Sequence, residues 1–556
     1  MSAPVTATMH PTAPDWPPEF VERYVSAGFW RSETFGGVLK AVAGRMGAQI
    51  ALVDGDRRLS FEELDRSVDE LAAGFAGLGL GKGDVVVVQL PNRAAFVEVV
   101  FALFRLGSVP VFALPAHRSV EIGAFCGFTG AKAYIVADVV GGFDYRELAA
   151  DIRARAPALA HVIVDGEPGP FLALDRLRRP PVDLPAIDAG DLACFQLSGG
   201  TTGIPKLIAR RHRDYLYNVR ASVEACDFNE RTVYLAALPM GHNFPMACPG
   251  FLGTLLAGGR VVVTDRPTPD VCFDLIAREN VTATALVPPL AMVWLDVAEM
   301  TKPQVPSLRI LQVGGARLGH EAARRVAPAL GCRLQQVFGM AEGLICFTAP
   351  EDPDDVVLNT QGKPMSTADE VRIVDGDGND VPDGVTGHLL TRGPYTIRGY
   401  FGLSEQNAAS FTPDGFYRSG DLVRRVAGGQ LVVEGRDTDQ INRGGEKIAA
   451  EEVENFLLGH EGVLDVAVVG LPDGYLGERT CAFVLPRPSR PTPNDLRMFL
   501  KASGLAAFKI PDRFEFLDSF PTTGVGKISR KTLRETLKAM HSGAGAAPAA
   551  SAAAAE

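Results

Sequence analysis

The segment LSGGTTGIPK, Leu197 to Lys206, gathers the hydroxyls of Ser198, Thr201 and Thr202, three glycines and the Lys206 ammonium directly behind an apolar run. Backbone N–H groups bared by glycine, hydroxyl donors and a cation are the groups that hold phosphate, so nucleotide chemistry is the first to consider. A loop of the Walker type needs glycine immediately before its lysine and serine or threonine immediately after it. Here Pro205 precedes Lys206 and Leu207 comes after it. Pro205 also removes a backbone donor and steers Ile204 away from helical geometry, so no helix starts where that loop requires one. The residues from Lys206 onward, KLIARRH, alternate in polarity like a strand, and the next helix is expected to take Asp214 as N-cap and continue through YLYNVRASVEA. The segment therefore joins two strands. On residue types alone it is either a phosphate cradle or an ordinary polar hairpin loop.

The elements that must position it are legible in the rest of the chain. A second glycine cluster, GLGLGKGD at Gly77 to Asp84, lacks the G-x-G-x-x-G order and lies after a helical pattern and before a strand, so it reads as a helix C-cap and turn. Helical patterns alternate with short aliphatic runs: FEELDRSVDELAAGFAGLG then DVVVVQLP, RAAFVEVVFALFRLG then VPVFALP, CFDLIAREN then TATALVP. That alternation predicts α/β units around mixed or parallel sheets. Near Gly435 the texture changes to the charged, glycine-rich GRDTDQINRGGEKI. After it come a helix at Ala450 to Leu458, strands LDVAVVGLP and TCAFVLP and a helix at Asn494 to Ser503, a pattern that fits a small α+β domain. The expected division is residues 16–435 and 436–540, with disordered ends at 1–15 and in the alanine-rich 541–556.

Composition narrows the function classes. The chain has 556 residues, 46% hydrophobic and 22% charged, with a formal net charge of -11, which supports a large core and argues against a nucleic-acid surface. There is no basic, then apolar, leader and no uncharged apolar run of the length a membrane span needs, so a cytoplasmic protein without membrane contact is expected. Cys126, Cys194, Cys226, Cys248, Cys272, Cys332, Cys346 and Cys481 form no C-x-x-C pair and no zinc spacing. They read as reduced, buried thiols.

Five segments in order carry a resemblance. LSGGTTGIPK, QVFGMAEG (Gln336 to Gly343), YRSGD (Tyr417 to Asp421), GRDTDQINRGGEKI (Gly435 to Ile448) and PTTGVGKISR (Pro521 to Arg530) resemble the signatures of the adenylate-forming superfamily, across nearly the whole chain. The resemblance implies a large N-terminal adenylation domain and a small mobile C-terminal domain, with ATP and Mg²⁺ as cofactors. A carboxylate attacks the α-phosphorus and pyrophosphate leaves, so like charges must be brought together and neutralised. By resemblance, Ser198, Gly199, Gly200, Thr201, Thr202, Gly203 and Lys206 hold the outgoing phosphates, and Thr202 with Glu342 orients Mg²⁺. Gly314, Gly315 and Ala316 in LQVGGA, with Phe338, Gly339, Met340 and Ala341, flank adenine. Asp421 takes the ribose hydroxyls, Arg436 reaches the ribose, and Lys527 is the catalytic cation bridging carboxylate and phosphate. The hinge departs from the family pattern: where Asp or Lys is usual, Thr438 stands between Asp437 and Asp439, which leaves open the residue that carries the rotation.

LPMGHNFPMACPGFLG, Leu238 to Gly253, together with NRGGEK and FGMAEG, is similar to the aryl-acid adenylating enzymes of siderophore biosynthesis. The resemblance implies that Asn243 hydrogen-bonds the 2-hydroxyl of an aromatic acid, that Phe244 and Gly314 lie against its ring, and that His242 gates the pocket and is counted with Lys527 in catalysis. Cys248 and Ile345 stand where the 2,3-dihydroxybenzoate enzymes typically have Ser and Val. A thiol is a poor hydrogen-bond partner and isoleucine is bulkier than valine, so salicylate is expected over 2,3-dihydroxybenzoate. Ordinary core packing is the other reading of either residue. The acyl acceptor implied is the phosphopantetheine thiol of an aryl carrier protein supplied in trans, since the chain beyond Lys527 is too short for a carrier domain; coenzyme A is the alternative. A non-catalytic nucleotide-binding protein would be expected to have lost charged site residues, yet Lys206, Glu342, Asp421, Arg436 and Lys527 are all present.

Overall fold

The computed structural model describes residues 13–198, 205–315, 317–436, 441–448, 450–521 and 530–541. The expectations placed on residues 1–12 and 542–556, on Gly199, Gly200, Thr201, Thr202, Gly203 and Ala316, on Asp437, Thr438 and Asp439, on Lys527, and on the Arg436 side chain lie outside what is described. The chain divides into two compact units between Thr438 and Asp439.

The larger unit is built on three sheets. A seven-stranded sheet has Val85–Gln89 near its centre, flanked in parallel by Val109–Phe112 and Ala133–Ala137, and ends on the antiparallel pair Leu192–Ser198 and Lys206–Arg211. The near-continuous valine of VVVVQ is what a parallel strand covered on both faces demands. A nine-stranded sheet runs parallel through Val233–Ala236, Ala283–Leu286, Ile310–Val313 and Arg333–Gly339, then turns antiparallel into Ile345–Phe347. Helices Phe61–Gly77 and Ala94–Leu106 share one core with Leu52 and Tyr234 of this sheet and Val86 and Val88 of the other, which is why almost every residue of the second helix is buried. Ser60 caps the first with a reciprocal bond to Glu63. Its end at Gly77 leads through Gly79, at φ +81°, into Val85–Gln89, so GLGLGKGD is the expected turn. The third sheet is antiparallel, in the order Glu370–Val374, Gly387–Arg392, Tyr417–Arg425, Leu431–Arg436.

One helix start differs from expectation. The helix after Lys206–Arg211 is His212–Ala225, with Arg211 and not Asp214 at the cap. Asp214 sits inside the first turn, where Oδ1 accepts the Arg211 N–H at 2.6 Å and Oδ2 accepts Arg210 Nε at 2.7 Å. A carboxylate can satisfy an orphan N–H from the third helical position as well as from the cap, so the sequence signal marks the right residue and leaves its position within the turn open.

The smaller unit is α+β. Strands Val463–Asp473 and Gly477–Pro486 form a long antiparallel pair, Arg513–Phe516 joins in parallel, and Ile441–Arg443 with Glu446–Ile448 completes the sheet. Helices Ala450–Leu458 and Pro493–Ala502 pack on one apolar cluster with Val466, Val468 and Val484, while Leu533 and Leu537 of Arg530–His541 pack on a second with Val469 and Phe483. All eight cysteines are buried and free. Among the described residues no helix is long and apolar enough to cross a membrane, and no cluster of three His, Cys, Asp or Glu could hold a metal ion.

Candidate active site

The glycine-rich segment is anchored by a ladder. Leu192–Ser198 and Lys206–Arg211 pair antiparallel, with Ser198 directly opposite Lys206, so the two strands end together at its base. Lys206 Nζ lies over the Tyr400 ring at 4.4 Å from its centroid. The Tyr400 hydroxyl donates to Glu342 Oε1 at 2.8 Å and stands 3.0 Å from the Tyr417 hydroxyl. Burial lowers the pKa of Lys206, and the Glu342 carboxylate opposes that shift. A half-buried ammonium, a buried carboxylate and two phenols are thus drawn into one polar cluster. Tyr400 lies outside the segments that sequence reasoning singles out, and nothing in its local pattern distinguishes it from a core aromatic.

Glu342 is held by its backbone. Its carbonyl accepts the Ile397 N–H at 2.8 Å, and the neighbouring Ala341 carbonyl accepts Arg210 Nη1 at 2.9 Å. Gly343 has no space for a side chain, since a Cβ there would stand 2.8 Å from Thr396 Cα, so the last glycine of FGMAEG is required by close approach. Phe338 and Gly339 end the strand Arg333–Gly339 opposite Cys346 and Ile345, and the Met340 N–H donates to the Leu344 carbonyl at 3.2 Å. Asp421 is buried on Tyr417–Arg425, opposite Arg436 in register and beside a β-bulge at Leu422 and Val423. Its N–H donates to Ser419 Oγ at 3.0 Å. Gly314 and Gly315 come directly after strand Ile310–Val313; Gly315 takes φ +84°, and a Cβ on Gly314 would meet Phe244 Cζ and the Val337 carbonyl at 3.0 Å each.

The HNFPMAC stretch forms a short buried helix, Asn243–Ala247, with the exposed His242 at its cap, where Nδ1 accepts the Phe244 N–H at 3.4 Å. Asn243 Oδ1 accepts the Tyr215 hydroxyl at 2.8 Å, and that hydroxyl accepts Gln196 Nε2 at 2.9 Å. The Asn243 amide nitrogen is thereby turned toward Cys248, whose Sγ is 3.7 Å away. Burial pushes the Cys248 thiol up to about 12, so it is protonated and a weak partner at neutral pH. Phe244, Cys248 and Ile345 belong to one apolar cluster, and Gly339 leaves the space that Ile345 fills: a Cβ there would stand 3.0 Å from Ile345 Cγ1. Tyr215 and Gln196 orient the amide, and sequence reasoning passes over both. The one signal is a glutamine inside the apolar strand LACFQLS.

The AMP-binding enzyme family model matches residues 39–401, and the model of the AMP-binding enzyme C-terminal domain matches residues 452–527. The chain is 57% identical over 522 residues to the 2,3-dihydroxybenzoate-AMP ligase of Bacillus subtilis, covering 94% of this chain and 97% of that one. It is 47% identical over 526 residues to the salicyl-AMP ligase / salicyl-S-ArCP synthetase of Mycobacterium tuberculosis, covering 93% of each. Among solved structures it is similar to Mycobacterium smegmatis MbtA in its apo form, with a TM-score of 0.74 and 46% identity over 95% of this chain and 98% of that chain.

Proposed function

The chain belongs to the AMP-binding enzyme family, and on that premise we propose that it activates salicylate with ATP to salicyl-AMP, releasing pyrophosphate, and passes the acyl group to the phosphopantetheine thiol of an aryl carrier protein in siderophore biosynthesis. The names of both relatives, each an aryl-acid AMP ligase, support the aryl-acid class, and the ArCP in the name of the mycobacterial one supports a carrier protein as acceptor over coenzyme A.

Lys206 and the loop before it neutralise the β- and γ-phosphates. Asp421 accepts hydrogen bonds from the ribose hydroxyls with Arg436 alongside, while Gly314, Gly315, Ala316 and the Phe338–Ala341 stretch flank adenine. Glu342, a buried hard-oxygen donor with one oxygen already oriented by Tyr400, fits Mg²⁺ together with Thr202. When bound, that ion supplies charge neutralisation between the phosphates. Lys527 carries the remaining positive charge to the carboxylate as it meets the α-phosphorus.

The observation that carries the reading of an ortho-hydroxy aryl acid is the Gln196–Tyr215–Asn243 chain. With Oδ1 occupied by Tyr215 and one N–H directed at Cys248 Sγ, the amide has its other N–H to offer a hydroxyl oxygen in the ortho position, and an acid lacking that oxygen leaves this donor unsatisfied at about 1–3 kcal/mol. Cys248 and Ile345 then disfavour a second hydroxyl. The second reading, 2,3-dihydroxybenzoate, is favoured by the name of the Bacillus subtilis relative. ATP–pyrophosphate exchange with salicylate, 2,3-dihydroxybenzoate, benzoate and fatty acids separates them. Salicylate is expected to lead by about tenfold or more in kcat/KM. A lead for 2,3-dihydroxybenzoate selects the second reading, and exchange with fatty acids alone overturns the aryl-acid class.

A further inference from the structure

Ile345 is held at both of its backbone polar groups, by two segments that lie apart in the chain. Its carbonyl accepts the Met365 N–H at 2.9 Å. Its N–H donates to the Tyr395 hydroxyl at 3.2 Å, and that hydroxyl donates onward to Asp369 Oδ2 at 2.5 Å. Tyr395 is fully buried in the same cluster as Ile345, Phe244 and Cys248. Asp369 Oδ2 also lies 3.4 Å from the Ser366 N–H, whereas Oδ1 is enclosed with no hydrogen-bond partner among the described residues. The fold makes room for this carboxyl: a Cβ on Gly393 would stand 2.4 Å from Oδ1. Burial pushes the Asp369 carboxyl up to about 7, so the arrangement is costly to keep and a phenylalanine at 395 would pack without it. The hydroxyl adds a fixed line from carboxyl to strand N–H, and a hydrogen-bonded line specifies position more sharply than apolar contact does.

We propose that Asp369, acting through the Tyr395 hydroxyl, is a positioning residue that fixes the strand at Ile345 and so sets the depth of the acid-binding pocket. The proposal rests on Ile345 forming a wall of that pocket. It is tested by measuring KM for the acid, KM for ATP and kcat in pyrophosphate exchange for the full chain and its Tyr395→Phe, Asp369→Ala and Asp369→Asn variants, with melting temperatures alongside. Tyr395→Phe and Asp369→Ala are expected to raise KM for salicylate about tenfold while KM for ATP stays within about twofold, because only one wall of the site moves. Asp369→Asn keeps an acceptor for the hydroxyl and is expected to restore KM to within about threefold of the parent. Variants that melt earlier or turn over more slowly but keep the parent KM for the acid show that Tyr395 merely packs, which overturns the proposal. If Tyr395→Phe is insoluble, the two Asp369 variants decide, and equal KM values for them overturn it. If the parent enzyme exchanges with no aromatic acid, the aryl-acid reading falls separately. The same KM split on whichever acid does support exchange then judges the relay.

Discussion

At the scale of single residues, the proposed selectivity turns on which atoms the Asn243 amide has left to offer. Tyr215 takes the oxygen, which leaves the nitrogen, turned toward Cys248, for the acid in the proposed reaction, and the thiol beside it is protonated and a weak partner for a further hydroxyl. Cys248→Ser combined with Ile345→Val supplies a hydroxyl partner and removes a methylene. The expected outcome is a shift of the kcat/KM ratio toward 2,3-dihydroxybenzoate by about tenfold or more, read in the exchange assay; an unchanged ratio places selectivity elsewhere. Asn243 and Cys248 are legible because they fall within one short motif whose spacing survives translation into structure. Tyr215, Gln196 and Tyr400 are not, because each acts on a partner far away in sequence: Tyr400 meets Glu342 across 58 residues and Tyr215 meets Asn243 across 28. Only the fold chooses such partners.

At the scale of elements, periodicity carries most of the information. The helices Phe61–Gly77 and Ala94–Leu106 and the strand Val85–Gln89 between them obey the pattern of their apolar residues, since a strand covered on both faces or a helix between two sheets leaves little choice of residue. Element ends are less legible, as Asp214 illustrates, because the same carboxylate serves from the cap or from the first turn. The helix that Asp214 enters is also tied to its neighbour by a titratable group. His212, its first residue, accepts the Phe35 N–H on Nδ1 at 3.3 Å, which joins helices Phe35–Met46 and His212–Ala225. Burial lowers the His212 pKa to about 4, so the unfolded chain binds its proton between the ordinary histidine range and 4 while the folded chain does not. Stability from this group is therefore present above about pH 6.5 and is lost as the pH falls toward 4, at up to about 1.4 kcal/mol per pH unit. Urea midpoints at pH 7 and pH 5 should fall more steeply for the parent protein than for His212→Gln, which keeps an acceptor and cannot titrate. Equal slopes would remove His212 as the cause.

At the scale of the whole molecule, the change in sequence texture near Gly435 lies close to the division between the two units at Thr438 and Asp439. Glu342, Lys206 and Asp421 lie in the larger unit and Lys527 in the chain of the smaller, so the proposed chemistry needs both. Lys527→Ala is expected to lower exchange by about a hundredfold or more, the scale of losing one preorganised charge-stabilising group, with the melting temperature unchanged. Unaltered exchange would remove its assigned role. One further property belongs to the chain as a whole. Every one of its eight cysteines is shut away, and burial holds those at 126, 248, 272, 332 and 481 up at about 12, with Cys226 and Cys346 well above their ordinary value. At pH 7 a thiol held up in this way stays protonated, and only the thiolate is a competent nucleophile. A catalyst that makes an acyl phosphate anhydride and delivers it to a thiol must not acylate itself on the way. On the proposed reading Cys248 is the sulfur beside the acid, and the burial that makes it a weak partner for a second hydroxyl would also keep it from taking the acyl group itself.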